Sequence, residues 1–570
     1  MSARRHRTAL ALLIGVFAGI PSEEQTAEMS TRDTPATFST RVNLVMVPVV
    51  VRDGQGRAIG TLHQEDFQLF DKGKPQVITK FSIERPGTPV IVVQQATEEN
   101  ADPQKPAAPA PPIPERFVAY LFDDIHLAIG DLMQARSAAE KHLADLEPTS
   151  RAAIYTTSGR TTLDFTDDRE QLRETLRKIQ PWTSALATAS ACPPVSYYMA
   201  DLIRNKNDQQ ALNAATQDAM SCMSLDPRQP GSQAIAQGAA NAAAAQQLSV
   251  GDNETQVSLS VLKDVVRRIS AAPGSRSLVL VSPGFFLTID HRTEETDVMD
   301  RAIRANVTIS SIDARGLYNP SLEADASQGQ SSLASLGLRS QYQTASALAN
   351  EDVMAELADA TGGTFFHNNN DLGEGFKRVA AQPEFVYVLG FSPQNLKFDG
   401  GFHTLKVSLK NSRGVSLQAR RGYYAPKHAI DPEQQAKEEI REALFSREEV
   451  SDIPVDLNMQ FFKSSDVNAR LSVVARVSVK TLHFRKAEDR NLDNLTILSG
   501  VFDRNGNYVS GIQKIVEMRL RDQTLAALPA TGINIRSTFD LTPGTYTVRL
   551  VVRDSEGQLM AARNGAVQIP

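Results

Sequence analysis

Cysteine and tryptophan are nearly missing from this chain. Its 570 residues hold two cysteines, Cys192 and Cys222, and one tryptophan, Trp182. Two thiols exclude a disulfide-dense scaffold and a thiolate zinc centre, which needs about four ligands. They allow a single bridge, worth roughly 3–4 kcal/mol in the chain-entropy model. Charge of one sign is also lacking. Sixty Lys and Arg against 66 Asp and Glu leave −6, with no dense basic run beyond the N-terminus. No nucleic-acid surface is expected from that balance. The G-x-S-x-G, H-E-x-x-H and P-loop patterns are absent, so no complete catalytic constellation is written in the sequence.

What is present is ordinary for globular protein, 41% hydrophobic and 22% charged, at a length that suggests three or four domains. Arg4, Arg5, His6 and Arg7 precede the apolar run TALALLIGVFAGI, Thr8 to Ile20. A basic head and a short apolar run predict a secretory signal over residues 1–28, and a secreted or periplasmic protein. The run is shorter than the roughly 20 residues a spanning helix needs, so membrane contact would come only through an uncleaved signal.

Alternating apolar and polar residues predict an N-terminal β domain over 36–95, with Pro48 placing the strand VNLVMVPVVV at an edge or a break. Residues 96–115 are Pro- and Ala-rich and read as a linker. From Arg116 strands and helices alternate. FVAYLFDD is a buried strand. The helix after it carries Leu132, Ala135, Ala139, Leu143 and Leu146 at helical spacing. RAAIYTTS and RTTLDFT form a hairpin. An Ala-, Gln- and Asn-rich insertion spans about 183–250 before the rhythm resumes. Residues 427–450 read as a polar helical linker, and the spaced strands of 451–570 as an immunoglobulin-like sandwich.

The order of these elements, with YVLGFSPQN, DGGFHTLKV, RRGYYAP and EDFQLFDKGKPQVITKFS, resembles von Willebrand factor A-like domains. More narrowly it resembles an A-domain-related group of bacterial proteins seen especially in Acidobacteria, over Phe38 to about Pro426. The resemblance implies an α/β fold class: a doubly wound, mostly parallel sheet over 116–426, flanked here by β-rich domains. It also implies a divalent cation, Mg²⁺ or Mn²⁺, on a D-x-S-x-S loop helped by a Thr and a later Asp. The chain departs from that set. Asp123, Asp124 and His126 are the candidate ligands, but if Asp124 holds the first place His126 and Ala128 stand at the serine places, and if Asp123 holds it Ile125 and Leu127 do. Thr183 or Ser184 would supply the hydroxyl, and Ser282 stands where the later Asp is expected. His126 suits a transition metal better than Mg²⁺.

The expected function is therefore an exported, non-enzymatic binding or adhesion protein that engages a protein or envelope component. Thr183, Ser184 and Ser282 are its candidate partner-binding loop residues. The alternatives are a metal-dependent switch or hydrolase using Asp123, Asp124 and His126, and an architectural envelope component.

Overall fold

The computed structural model describes residues 28–35, 45–55, 57–84, 91–93, 114–182, 192–317, 333–380, 385–393, 401–425, 432–446, 449–463, 465, 467–527 and 532–570. The export segment falls almost wholly outside these residues, as does most of the 96–115 linker. Among the described residues no helix is long and apolar enough to cross a membrane.

The doubly wound, mostly parallel fold class is corrected by the sheets. The described strands form five sheets, and most of their pairings are antiparallel. Parallel pairing is confined to one six-stranded sheet and a three-residue pair between Ile91–Val93 and the C-terminal strand. The reason is connectivity. Strand and helix alternate only between Arg116 and Ala380, whereas elsewhere strands pair through hairpin turns or with strands distant in sequence, and apart from Ile91–Val93 those pairings are antiparallel.

The six-stranded sheet holds Arg116–Phe122 near its centre, paired in parallel with Ser150–Thr156 on one side and Ser275–Ser282 on the other. Val307–Asp313 and Phe365–Phe366 extend it in parallel. Thr162–Thr166 closes the far edge as an antiparallel hairpin strand. Both faces are buried, which is why FVAYLFDD carries no polar alternation. Val118, Tyr120 and Phe122 meet the helix Ile129–Ala144, which buries Leu132, Ala135, Ala139 and Leu143. Phe117, Ala119 and Leu121 meet Leu259, Leu262 and Val266 on the other face.

Residues 45–84 do not make a β unit alone. Val45–Asp53 lies between Val386–Phe391 and Val415–Ala419, while Phe67–Asp71 pairs with Phe402–Leu409. Two four-stranded sheets thus enclose one core of Val47, Val49, Val51, Leu69, Tyr387 and Leu389. The strands Val386–Phe391 and 402–424, read as the tail of the 116–426 unit, belong to this sandwich. Pro48 therefore sits in an interior strand. It is tolerated because the two neighbours overlap only at Val49, leaving Pro48 opposite Val388 on one side and beyond the ladder on the other.

The C-terminal part packs an eight-stranded sheet on a three-stranded one around Leu471, Val473, Ile497, Val548 and Leu550. Its turn Asp503–Asn507 is closed by Asp503, whose carboxylate accepts from the Asn505 and Asn507 amides, each at 2.8 Å. That turn docks beneath the six-stranded sheet. Buried Arg151 donates to the Arg504 carbonyl at 3.0 Å, and Asp167 pairs with both guanidiniums.

The insertion is helical, with Tyr197–Arg204, Gln209–Cys222 and the first half of a 38-residue helix, Ser232–Ile269. Small residues set its packing. Ala211, Ala215, Ala240 and Ala244 are fully buried in the bundle core, and Gly251 leaves room for the Tyr197 ring. Cys192 and Cys222 are joined in a disulfide with Cα atoms 5.9 Å apart, tying the entry of this bundle to its second helix.

Candidate functional site

The three central parallel strands end together. Arg116–Phe122 runs into Asp123 and Asp124, Ser150–Thr156 into Thr157 and Ser158, and Ser275–Ser282 carries its own last residue to the same edge. Open α/β sheets present ligands at this carboxyl edge, because the helix-bound loops diverge there.

Asp123 is fully buried, and its carboxylate is a receiving point for four groups. Thr157 Oγ1 donates to Oδ1 at 2.8 Å and Ser282 Oγ to Oδ2 at 2.6 Å. The His126 amide donates at 3.2 Å, and its Nδ1 lies 2.9 Å from each oxygen. Asp124, also buried, accepts from Thr157 Oγ1 at 3.1 Å, the Ser158 amide at 2.8 Å and Ser158 Oγ at 2.5 Å. The backbone locks the loop further, through the Asp123 amide to Val281 and the Trp182 amide to the Asp124 carbonyl. Two buried acids would be costly unpaired, and these donors remove that cost.

The electrostatics follow from the contacts. Burial works to raise the Asp123 pKa, but the adjacent His126 and the hydroxyls of Ser282 and Thr157 outweigh it and hold the carboxyl below its ordinary value. Burial likewise disfavours charged His126, yet Asp123, Glu254 and Asp124 lift its pKa above the ordinary histidine value. Glu254, on the long helix, is raised chiefly by burial. The imidazole lies flat against Phe285, ring centres 5.4 Å apart, and remains one-fifth exposed. Asp123–His126 is thus an ion pair with one wetted end.

Of the sequence candidates, Asp123, Asp124, His126 and Ser282 come together at this edge, and Thr183 and Ser184 lie outside the described residues. Ser282 donates its hydroxyl to Asp123 and accepts from the Gly284 amide at 2.9 Å, so it is spent inside the loop. The hydroxyls that serve the acids are Thr157 and Ser158, which sequence reading passed over as the end of RAAIYTTS. Two adjacent hydroxyl residues closing a buried strand beside the acidic one are the signal that could have found them. Elsewhere in this unit His142 Nε2 lies 2.8 Å from the hydroxyl of buried Tyr120, and burial pushes its pKa down to about 4.

Asp123 and Asp124 carry the carboxylate oxygens that a hard divalent cation would take, with the hydroxyls of Thr157, Ser158 and Ser282 beside them, and both acids accept from protein groups. Such an ion needs several oxygen lone pairs at octahedral positions, and those of Asp123 already receive four protein donors. Among the described residues no cluster of three or more His, Cys, Asp or Glu is placed to hold a metal ion. The arrangement does immobilise the loop and offer what surrounds it.

What surrounds it is apolar. Ile129 and Met133, one turn apart on the helix leaving this loop, are 66% and 61% exposed. Ile289, in the loop after Ser282, is 86% exposed, and Leu317, after Val307–Asp313, is 66% exposed. All four follow parallel strands that end at the same edge. Arg315 beside Leu317 is neutralised by Asp313 at 2.8 Å and Glu351 at 2.6 Å.

No protein-family model matches the chain, and no curated protein is similar to it. Among solved structures, a β-glucosidase from Kluyveromyces marxianus in complex with glucose aligns at 10% identity and a TM-score of 0.12. The alignment covers 56% of this chain and 33% of that one, about a third of its length. Likeness at this level carries no argument about fold or activity.

Proposed function

We propose that this chain is an exported, non-enzymatic binding protein that engages a protein or envelope partner at the carboxyl edge of its six-stranded sheet. The observation that carries the reading is the set of exposed apolar side chains, Ile129, Met133, Ile289 and Leu317, on the segments that follow three parallel strands ending at that edge. Large exposed apolar side chains near one edge of a sheet are candidates for a contact surface. The internally bonded acids support it, because a loop fixed before contact loses little entropy on binding. The basic, then apolar, N-terminal segment Arg4 to Ile20 supports export.

The experiment is retention of envelope extract on the immobilised protein, with Ile289→Asp and Met133→Asp as comparison surfaces. A partner held by the parent and lost from both variants is expected. Equal retention by all three, or none by the parent, removes the proposal.

A further inference from the structure

The strand Met29–Pro35 is the outermost of the eight-stranded C-terminal sheet. It runs antiparallel along Tyr508–Leu520, from Met29 opposite Met518 to Pro35 opposite Ile512. It joins that sheet from the far end of the sequence, with Arg32 and Glu517 485 residues apart.

What holds this strand differs from what holds its neighbours. Met29 packs against the sandwich core, while Ser30, Thr31, Arg32 and Asp33 are exposed. The remaining contacts are the backbone ladder and a run of alternating ion pairs. Glu28 meets Arg490 at 3.1 Å and Arg521 at 3.2 Å, Arg32 pairs with Glu517, and Asp33 meets Lys514 at 2.7 Å. Arg32 and Asp33 are exposed, and pairs of that kind contribute about 0–1 kcal/mol each, while Glu28 and Arg490 are partly buried; among the residues of this strand whose side chains are described, Met29 adds the apolar contact with the core. It also arrives alone. The next described strand, Val45–Asp53, belongs to the other sandwich, so no hairpin partner accompanies it.

Removing it would bare the Tyr508–Leu520 edge, whose unpaired amides and carbonyls template another strand. The best-matched replacement has the same charge order and the same ladder, and a second copy supplies both, the added cost being the entropy of joining two molecules. We propose that the Tyr508–Leu520 edge is a strand-acceptor site that takes the Met29–Pro35 strand of a second copy as well as its own. The exchanged assembly repeats every contact of the closed chain and adds a tether between two molecules.

Thr34 stands opposite Gln513 in the register, so cysteines at these positions report which chain donates the strand. Full-length Thr34→Cys is mixed with full-length Gln513→Cys under mild oxidation, the native Cys192–Cys222 bridge being left closed. Gln460→Cys, on an exposed position of the three-stranded sheet, replaces Gln513→Cys as the control for random cross-linking. The expected result is a mixed disulfide dimer at several-fold the control yield, rising with protein concentration. A mixed dimer no more abundant than the control at every concentration would overturn the proposal. Closure of the Thr34→Cys/Gln513→Cys double variant within one chain shows in the same assay that the register is correct.

Discussion

Two buried acid pairs in this molecule meet opposite fates. Asp123 and Asp124, at the carboxyl edge of the six-stranded sheet, receive hydroxyls, amides and an imidazole, and the Asp123 carboxyl is held below its ordinary pKa. Asp493 and Asp554, at one end of the C-terminal sandwich, are equally buried. There Asp554 takes the good donors, the amides of Glu556 at 3.0 Å, Gly557 at 2.9 Å and His483 at 3.2 Å. Asp493 is left with a long contact to the Glu556 amide, and its Oδ2 finds no donor. Burial, then the charge of Asp554, pushes Asp493 up to about 7. Depth is shared by both pairs, so the neighbouring charge, a histidine beside Asp123 and a second acid beside Asp493, together with the donors, decides which way the carboxyl shifts.

The largest effect should follow from breaking the satisfied pair. Asp123→Ala strands the donors of Ser282 and His126 in a buried site, Thr157 keeping Asp124, and a loss of about 3–5 kcal/mol is expected in urea unfolding. Relieving the unsatisfied pair should do the reverse. Asp493→Asn supplies an amide N–H toward Asp554 and should gain on the order of 1–3 kcal/mol at pH 8. The same change sharpens the pH comparison. The folded state holds the Asp493 proton more tightly than the unfolded chain does, so stability from this site falls as pH rises toward about 7. The Asp493→Asn variant should show a flatter slope over that range.

The Asp123–His126 pair has a different window. Asp123, with its lowered pKa, contributes stability above the ordinary aspartate value, lost as pH falls through its folded pKa. His126, with its raised pKa, contributes fully below the ordinary histidine value, and that contribution is lost as pH rises through its folded pKa. A thermal-melting profile with weakly acidic maximum stability for the six-stranded sheet, absent in His126→Gln, is the expected outcome.

Ser282→Ala removes one donor and one acceptor, and a smaller loss of about 1–2 kcal/mol should appear in the same urea assay. Ile289→Asp changes an exposed side chain and should leave stability within about 0.5 kcal/mol while altering partner retention.

Local pattern was the legible part of the molecule. The apolar run FVAYLF became the buried strand Arg116–Phe122, and the spacing from Leu132 to Leu143 became the buried face of a helix. Long-range pairing was not legible. Nothing local to Val45–Asp53 says that Val386–Phe391 will lie beside it, because each strand merely needs some apolar neighbour on its edge. That is how alternation confined to 116–380 misled the fold class of the whole chain. The insertion's helices carried a readable signal, since QGAANAAAAQQ is rich in the residue of highest helix propensity. At the site, the acids and Ser282 were visible, but their juxtaposition with Thr157 and Ser158 depends on parallel strand order, which the local sequence does not encode.

The central claim is that the carboxyl edge is a rigid, internally bonded platform whose apolar rim makes the contact. It is tested most directly by retention of envelope extract on parent and Ile289→Asp protein, in EDTA and in Mg²⁺. One partner retained equally in both solutions by the parent and lost from the variant is the expected result. Retention that requires Mg²⁺, or that survives Ile289→Asp unchanged, would contradict it.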